Sequence, residues 1–371
     1  MNLTPFEWIV ELYHESPLKV KYLLGSIVVL LFLCLLTLTV LVSLRMKLYN
    51  RRNKTSFLRA KYEELLITLL YLDEEDFDYQ VQKDEIVNEL KIAIKSKAER
   101  NIIKDLLIGL LRDISGDMAT QIQELFHELG LVKYSLKKLK SRKWYIKIQG
   151  IRELTEMQER SIQGYVFGLV NHNNTLLRSE AQLTMVRLFE YGGLGFLIDL
   201  KYPVSEWQQL QLMASIQNNV EFVLPQIKDL LKSKNITVIQ FSLKLVQFFN
   251  HIIEPEEIKR LIKHRDPQIR KQTIDIIGEM GLFDMKPYLK ESYVALTKEG
   301  KLSVINTLAQ LGSEEDVTFL TASSEDVDFK ISLQAMLALK DLLTQEEFKK
   351  EMGSLHVKNE RALEFVMDQV C

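Results

Sequence analysis

Histidine and cysteine are where catalytic or metal chemistry would begin in this chain, and both are sparse. Its 371 residues hold six histidines, His14, His127, His172, His251, His264 and His356, and two cysteines, Cys34 and Cys371. A tetrahedral zinc site needs four nitrogen or sulfur ligands, usually in closely spaced pairs. No two histidines here are four apart, and two cysteines, one inside an apolar run and one at the last position, make neither such a site nor a disulfide within one chain. Gly192-Gly193-Leu194-Gly195 has the glycines of a phosphate loop. It lacks the preceding strand and the following Lys-Ser/Thr, so a turn between helices is expected. No Gly-x-Ser-x-Gly elbow or other nucleophile with an orienting base and acid is present. The reading is a non-enzyme without cofactor or metal.

Cations are the second chemistry. Lys133, Lys137, Lys138, Lys140, Arg142, Lys143 and Lys147 put seven positive charges into fifteen residues without an acid, with Trp144 and Tyr145 among them. Such a run suits anionic lipid, an acidic protein surface, or RNA with the two rings stacking. The plainer expectation is a solvated helix face with Trp144 turned into the core. A second cluster, Lys259, Arg260, Lys263, Arg265, Arg270 and Lys271, lies near His264. The whole chain is nearly balanced, 48 Lys+Arg against 50 Asp+Glu, too close to neutrality to make nucleic acid the partner of the entire molecule. With 47% hydrophobic residues, 15 Gly and 7 Pro, disordered, collagenous and disulfide-scaffold classes are excluded.

The elements that must carry these residues begin with a membrane span. Tyr22 to Leu44 is 23 residues without a charge. A helix of that length reaches ~35 Å, enough for a hydrocarbon core of ~30 Å. A cleaved signal would have a shorter apolar region and a small-residue cleavage site. Residues 45–61 carry Arg45, Lys47, Arg51, Arg52, Lys54, Arg59 and Lys61 and no acid, whereas residues 1–21 carry Glu7, Glu11 and Glu15 against Lys19 and Lys21. Positive charge stays on the cytoplasmic side, so the N-terminus is expected outside and the remainder in the cytoplasm. Thr4-Pro5-Phe6-Glu7 has capping-box spacing, and the tail 1–21 is read as a short interfacial helix. Residues 45–83 are expected as a juxtamembrane helix to about 71, then a solvated linker, because 73–85 holds seven acids.

From 84 to 371 apolar residues recur at helical spacing, without the alternation of strands. Lys147, Arg178, Gln209, Gln240, Arg270, Lys301 and Lys330 share a register of about 30 residues. Three and seven residues after the last six, the positions are apolar except Thr273 and Gln247. Pro225, Pro255 and Pro287 fall where a second helix should start, and Gly192, Gly281 and Gly312 shortly before it. Each unit therefore reads as a helical hairpin that buries its apolar faces only against its neighbours, and the fold class is all-α, an α-solenoid after one N-terminal transmembrane helix.

The segment Asp266-Pro267-Gln268-Ile269-Arg270, continuing to Gly278-Glu279-Met280-Gly281, resembles the HEAT repeat in its short bacterial form. Leu308-Ala309-Gln310-Leu311-Gly312, Asp328-Phe329-Lys330-Ile331 and Leu176-Leu177-Arg178-Ser179-Glu180-Ala181 keep fragments of the pattern. The resemblance implies a scaffold that binds other proteins, in a bacterial inner membrane. HEAT-repeat proteins with one span look like those that accompany membrane glycosyltransferases or export machinery, which implies such a partner. Deoxyhypusine hydroxylases, also HEAT-like, hold iron through several His-Glu pairs. This chain has only His14-Glu15 and His127-Glu128, so no iron site is expected. Phycobilin lyase-type HEAT proteins are a further enzymatic comparison, but no lyase motif is present.

Overall fold

The computed structural model describes residues 17–72, 77–114, 116–189, 193–217, 227–353 and 360–368. Residues 1–16 of the expected interfacial tail, Gly192, Pro225, His356 and Cys371 lie outside them. Among the described residues every regular element is helical and no strand occurs. The chain divides into two compact units, residues 1–134 and 135–371.

In the first unit, α1 (Leu18–Leu70) is one uninterrupted helix that contains both the apolar run and the basic segment after it. An 18-residue window within it has a mean hydropathy of 3.0 and none of it is buried, so the helix is long and apolar enough to cross a membrane. Its far end is different. Tyr62, Leu66 and Leu70 are buried where α1 packs on α2 (Tyr79–Ala93), α3 (Lys97–Asp113) and α4 (Asp117–Glu128). The Tyr62 hydroxyl donates to Glu99. Burial first, then that bond and the charges of Glu99 and Glu89, hold the phenol protonated well above its usual range. The expected juxtamembrane stretch, 45 to about 71, is helical to Leu70 as the continuation of the apolar run, and residues 73–76 of the expected linker lie outside the described residues. The acidic stretch is helical again from Tyr79, and position 84, the expected start of the array, falls inside α2. The acids of 73–85 outnumber its apolar residues, but Val87, Leu90 and Ala93 supply α2 with a buried face.

The division between units falls within α5 (Leu131–Leu139). The second unit alternates long first helices with short second ones. The first helices are α6 (Trp144–Glu156), α8 (Thr175–Leu188), α9 (Glu206–Gln217), α11 (Ile236–Phe249), α13 (Pro267–Glu279), α15 (Lys298–Leu311) and α17 (Phe329–Leu342). Between or after them come α7 (Gln163–Phe167), α10 (Ile227–Leu231), α12 (Pro255–Ile262), α14 (Lys286–Ser292), α16 (Val317–Ser324), α18 (Gln345–Gly353) and α19 (Glu360–Asp368). After α8 the place of the second helix is taken by a single tight turn, Gly195–Leu197. First helices pack on one another, α6 on α8, α8 on α9, α11 on α13, α13 on α15 and α15 on α17. This is a tandem helical repeat.

What sets the repeat is the residue before each first helix. Asn174, Asn235, Asp266, Thr297 and Asp328 each accept a backbone N–H of the first turn through the side chain. Ser205 does the same for Gln208 at 3.3 Å, and Lys143 occupies the cap position of α6. These seven positions are 31, 31, 30, 31, 31 and 31 residues apart. Counting from the cap repairs the two irregularities of the sequence register. In the α11 repeat the residues seven and eleven after the cap are Ser242 and Val246, so the exposed Gln247 is one place off the column although Leu243 is buried as well, and in the last repeat they are Ala335 and Leu339 rather than the half-buried Leu333 and Leu337. Seven residues after the cap stand Gly150, Ala181, Leu212, Ser242, Thr273, Val304 and Ala335, and eleven after it Leu154, Met185, Ile216, Val246, Ile277, Leu308 and Leu339, all buried.

Of the expected punctuation, two prolines and two glycines lie among the described residues and stand where the register places them. Pro255 and Pro287 stand in the first turn of α12 and α14, where a missing N–H costs nothing. Gly281 and Gly312 take φ of +66° and +51° after the first helices they follow.

Small residues at the seventh position reflect close approach. A Cβ on Gly150 would lie 2.6 Å from the Leu139 nitrogen and 2.8 Å from the Ser135 oxygen, both backbone atoms of α5. Gly150→Ala is therefore expected to force α5 and α6 apart and to destabilise the chain by about 1–3 kcal/mol or more. A thermal melt of the full chain measures this, and an unchanged midpoint would contradict the contact.

Candidate functional site

The structure sorts the two basic clusters very differently. In the second, Lys259 pairs with Glu256 at 2.7 Å and Lys263 with Glu291 at 3.1 Å. Lys271 pairs with Asp275 at 2.7 Å. Arg260 binds Glu257 at 2.8 Å and also donates to the Leu231 carbonyl. Burial by itself raises the Glu257 carboxyl, but hydrogen bonds from Arg260 and Lys232 outweigh it and hold the group below its ordinary range. Arg270 turns back over the cap and donates to the carbonyls of His264 and Arg265 at 2.8 and 3.2 Å. Arg178 does the same to His172 and Asn173. The arginine of the Asp-Pro-x-x-Arg pattern is thus a clasp on the turn that precedes its own helix. Of that cluster, Arg265 alone among the described residues is exposed with no acidic partner. Most cations of this cluster are thus paired with acids, on their own helix for Lys259, Arg260 and Lys271 and on the next repeat for Lys263.

The first cluster stays basic. Lys138 reaches Glu153 at 2.6 Å, an acid that is itself buried and also accepts from Ser135 at 2.8 Å. Lys147 donates to the Tyr165 hydroxyl at 3.1 Å and lies 5.5 Å from the centre of its ring. Lys133, Lys137, Lys140, Arg142 and Lys143 are exposed, and no described acid lies within ion-pair distance of any of them. Trp144 does not turn into the core, contrary to expectation. It is half-exposed, edge-on to Tyr145 with ring centres 5.8 Å apart. As the first residue of α6 it precedes the turn whose inward positions are Ile148 and Ile151, so the helix phase leaves it outside.

On the next two repeats the surface carries apolar residues that were not singled out from the sequence as surface candidates: Leu176 on α8, and Trp207 and Leu210 on α9, all exposed. A signal for them existed. Leu176 and Trp207 occupy the second position after the cap, as Tyr145 does, and that position is not one of the inward ones.

The remaining candidates are structural. Gly193 is a packed turn, its missing Cβ only 2.5 Å from the Phe189 oxygen and 2.8 Å from the Met185 oxygen. His127 is exposed on α4, and Glu128 beside it pairs with Lys91 at 2.9 Å. Among the described residues no three His, Cys, Asp or Glu come together as metal ligands would. His264 and His172 each accept, through Nδ1, the backbone N–H two residues on, at 3.1 and 3.0 Å.

No family model matches the chain, and no curated protein matches it. Among solved structures, a crystal structure of a Kap121p mutant aligns with a TM-score of 0.46 at 9% identity, over 78% of this chain. The chain spans 38% of that protein's length. An engineered protein aligns with a TM-score of 0.33 at 13% identity, over 83% of this chain and 98% of its own. At such scores the repeat fold is defined by the chain's own helix packing.

The His264 clasp gives a pH dependence. Burial first, with Arg260 and Arg265 in the same direction and Asp266 opposing, lowers the imidazole below its ordinary 6.5. The folded state therefore prefers neutral His264, so its contribution is complete above pH ~6.5 and is lost as pH falls from there toward the lower folded value. His264→Asn keeps an acceptor that does not titrate. The melting midpoint should fall less between pH 7.5 and 5.5 in this variant than in the parent; equal falls would refute the assignment.

Proposed function

We propose that this chain is a membrane-anchored scaffold, in which α1 crosses the bilayer at residues 22–44 and the helical repeats dock a protein partner on the cytoplasmic side. The observation that carries the reading is the apolar window of α1, none of it buried although the same helix ends in the protein core at Tyr62, Leu66 and Leu70. A soluble core helix would have its most apolar stretch inside. Seven cations directly after the run support a cytoplasmic C-terminal side. Tethering confines the scaffold and any partner in the same membrane to a thin layer, which raises effective concentration without a tight contact. A membrane glycosyltransferase or an export complex is the kind of partner the HEAT-like pattern suggests, in a bacterial inner membrane.

Two measurements test this. The full chain should remain in the membrane pellet after alkaline carbonate extraction, and protease added to sealed vesicles with the cytoplasmic face outward should digest residues 45 onward. Release by carbonate would remove the anchor. Crosslinking in membranes followed by purification in mild detergent should recover a membrane protein partner; recovery of soluble proteins or nucleic acid alone would reject the docking part.

A further inference from the structure

Successive first helices α6, α8 and α9 lie side by side, so equivalent positions on them form a row whose spacing is the interhelix distance of ~8–10 Å. The second position after the cap in that row is Tyr145, Leu176 and Trp207, with 51%, 60% and 69% of each residue exposed. Trp144, 41% exposed, adjoins Tyr145, and Leu210, 60% exposed, stands one helical turn after Trp207 on the same side. In the remaining repeats the equivalent residues are Thr237, Gln268, Glu299 and Lys330, so the strip belongs to three repeats and is not a property of the position. Scattered exposed apolar residues need no explanation, but a contiguous row of aromatic and leucine side chains does.

At the Trp144 end of the strip stand the exposed cations Lys137, Lys140, Arg142 and Lys143, with no acidic partner among the described residues. At the other end the neighbouring charge is Glu206. The strip is thus apolar along its length and positive at one end.

We propose that this strip is a second membrane contact, which lies on an anionic bilayer surface. Trp144, Tyr145, Leu176, Trp207 and Leu210 enter the headgroup region, and the four cations meet lipid phosphates. Two features select lipid over a protein surface. Three of the four cations are lysines, a residue depleted at protein interfaces yet fully effective against a diffuse negative surface. Tryptophan and tyrosine, with an apolar body and one polar tip, favour the water–hydrocarbon boundary. The contact is separate from α1 and does not require the span.

The chain contains three tryptophans, Trp8, Trp144 and Trp207, so each strip residue can report alone. The full chain carrying Trp8→Phe and either Trp207→Phe or Trp144→Phe is reconstituted into vesicles of brominated phosphatidylcholine, with or without brominated phosphatidylglycerol. Quenching of both reporters is expected in the anionic vesicles. Most of it should be lost in pure phosphatidylcholine, in high salt, and when Lys137, Lys140, Arg142 and Lys143 are all changed to Gln. These positions are exposed, so the Gln variant should melt like the parent. Absence of quenching in anionic vesicles overturns the proposal, as does equal quenching in pure phosphatidylcholine. Binding of polyuridylate or polyglutamate that changes the reporters' emission, with no lipid quenching, overturns it and assigns the strip to another class. Carbonate resistance of the same variants reads the α1 anchor independently, so failure of the strip and failure of the anchor are distinguishable.

Discussion

A helix of twelve to fourteen residues whose positions seven and eleven after the cap must both be buried cannot keep them out of water alone. Everything in the second unit depends on neighbours supplying the missing surfaces. That requirement fixes the interval between caps at 30 or 31 residues, because a first helix, a turn and a shorter second helix must return the chain to the same edge before the next first helix begins. It also explains the polar groups inside. Thr155 and Thr184 meet at 3.1 Å, Thr307 donates to the Ile274 carbonyl at 3.0 Å, and Ser179, Gln208 and Gln182 form a linked set. Each is a bond from one first helix to the next, made where seating on a neighbour would otherwise strand a buried polar group.

Charge is used in the same repeat-to-repeat way. Arg152 with Glu180, Lys228 with Glu254, Lys263 with Glu291 and Lys298 with Asp328 all join residues 26 to 30 apart. Most of these pairs are solvated and contribute little stability individually. A firmer case is Asp316, wholly buried and held by Lys286 at 2.5 Å and Lys290 at 2.7 Å. The near-zero net charge of the sequence is therefore the trace of local pairing, and this is why the acid-free surface around Lys140 and Lys143 stands apart from the rest of the molecule.

Helical class, repeat period, turn glycines and second-helix prolines were all legible in the sequence, since each follows from local backbone chemistry. The phase was less so. An apolar residue can occupy the wrong column, as Leu333 and Leu337 do, while a serine or alanine holds the inward place, as Ser242 and Ala335 do. Caps resolve it, because a side chain that accepts the first-turn N–H cannot be shifted by one. Trp144 was misjudged for a related reason: its size argues for burial, whereas its position at the start of α6 decides otherwise. The merging of the basic segment into the first unit was hidden as well, since the contribution of Tyr62, Leu66 and Leu70 becomes visible only with the helices they meet.

From Ser26 to Leu70, α1 contains neither glycine nor proline, so it has no built-in hinge. The 26 residues from Arg45 to Leu70 amount to a stiff rod ~39 Å long. Rigidity of this kind transmits torsion. Each face of the apolar run has a fixed azimuth relative to the buried face at Tyr62, Leu66 and Leu70, and one inserted residue would rotate the two by about 100° and separate them by about 1.5 Å. The rod thus records angular information along its length, and turning one end about its axis must turn the other.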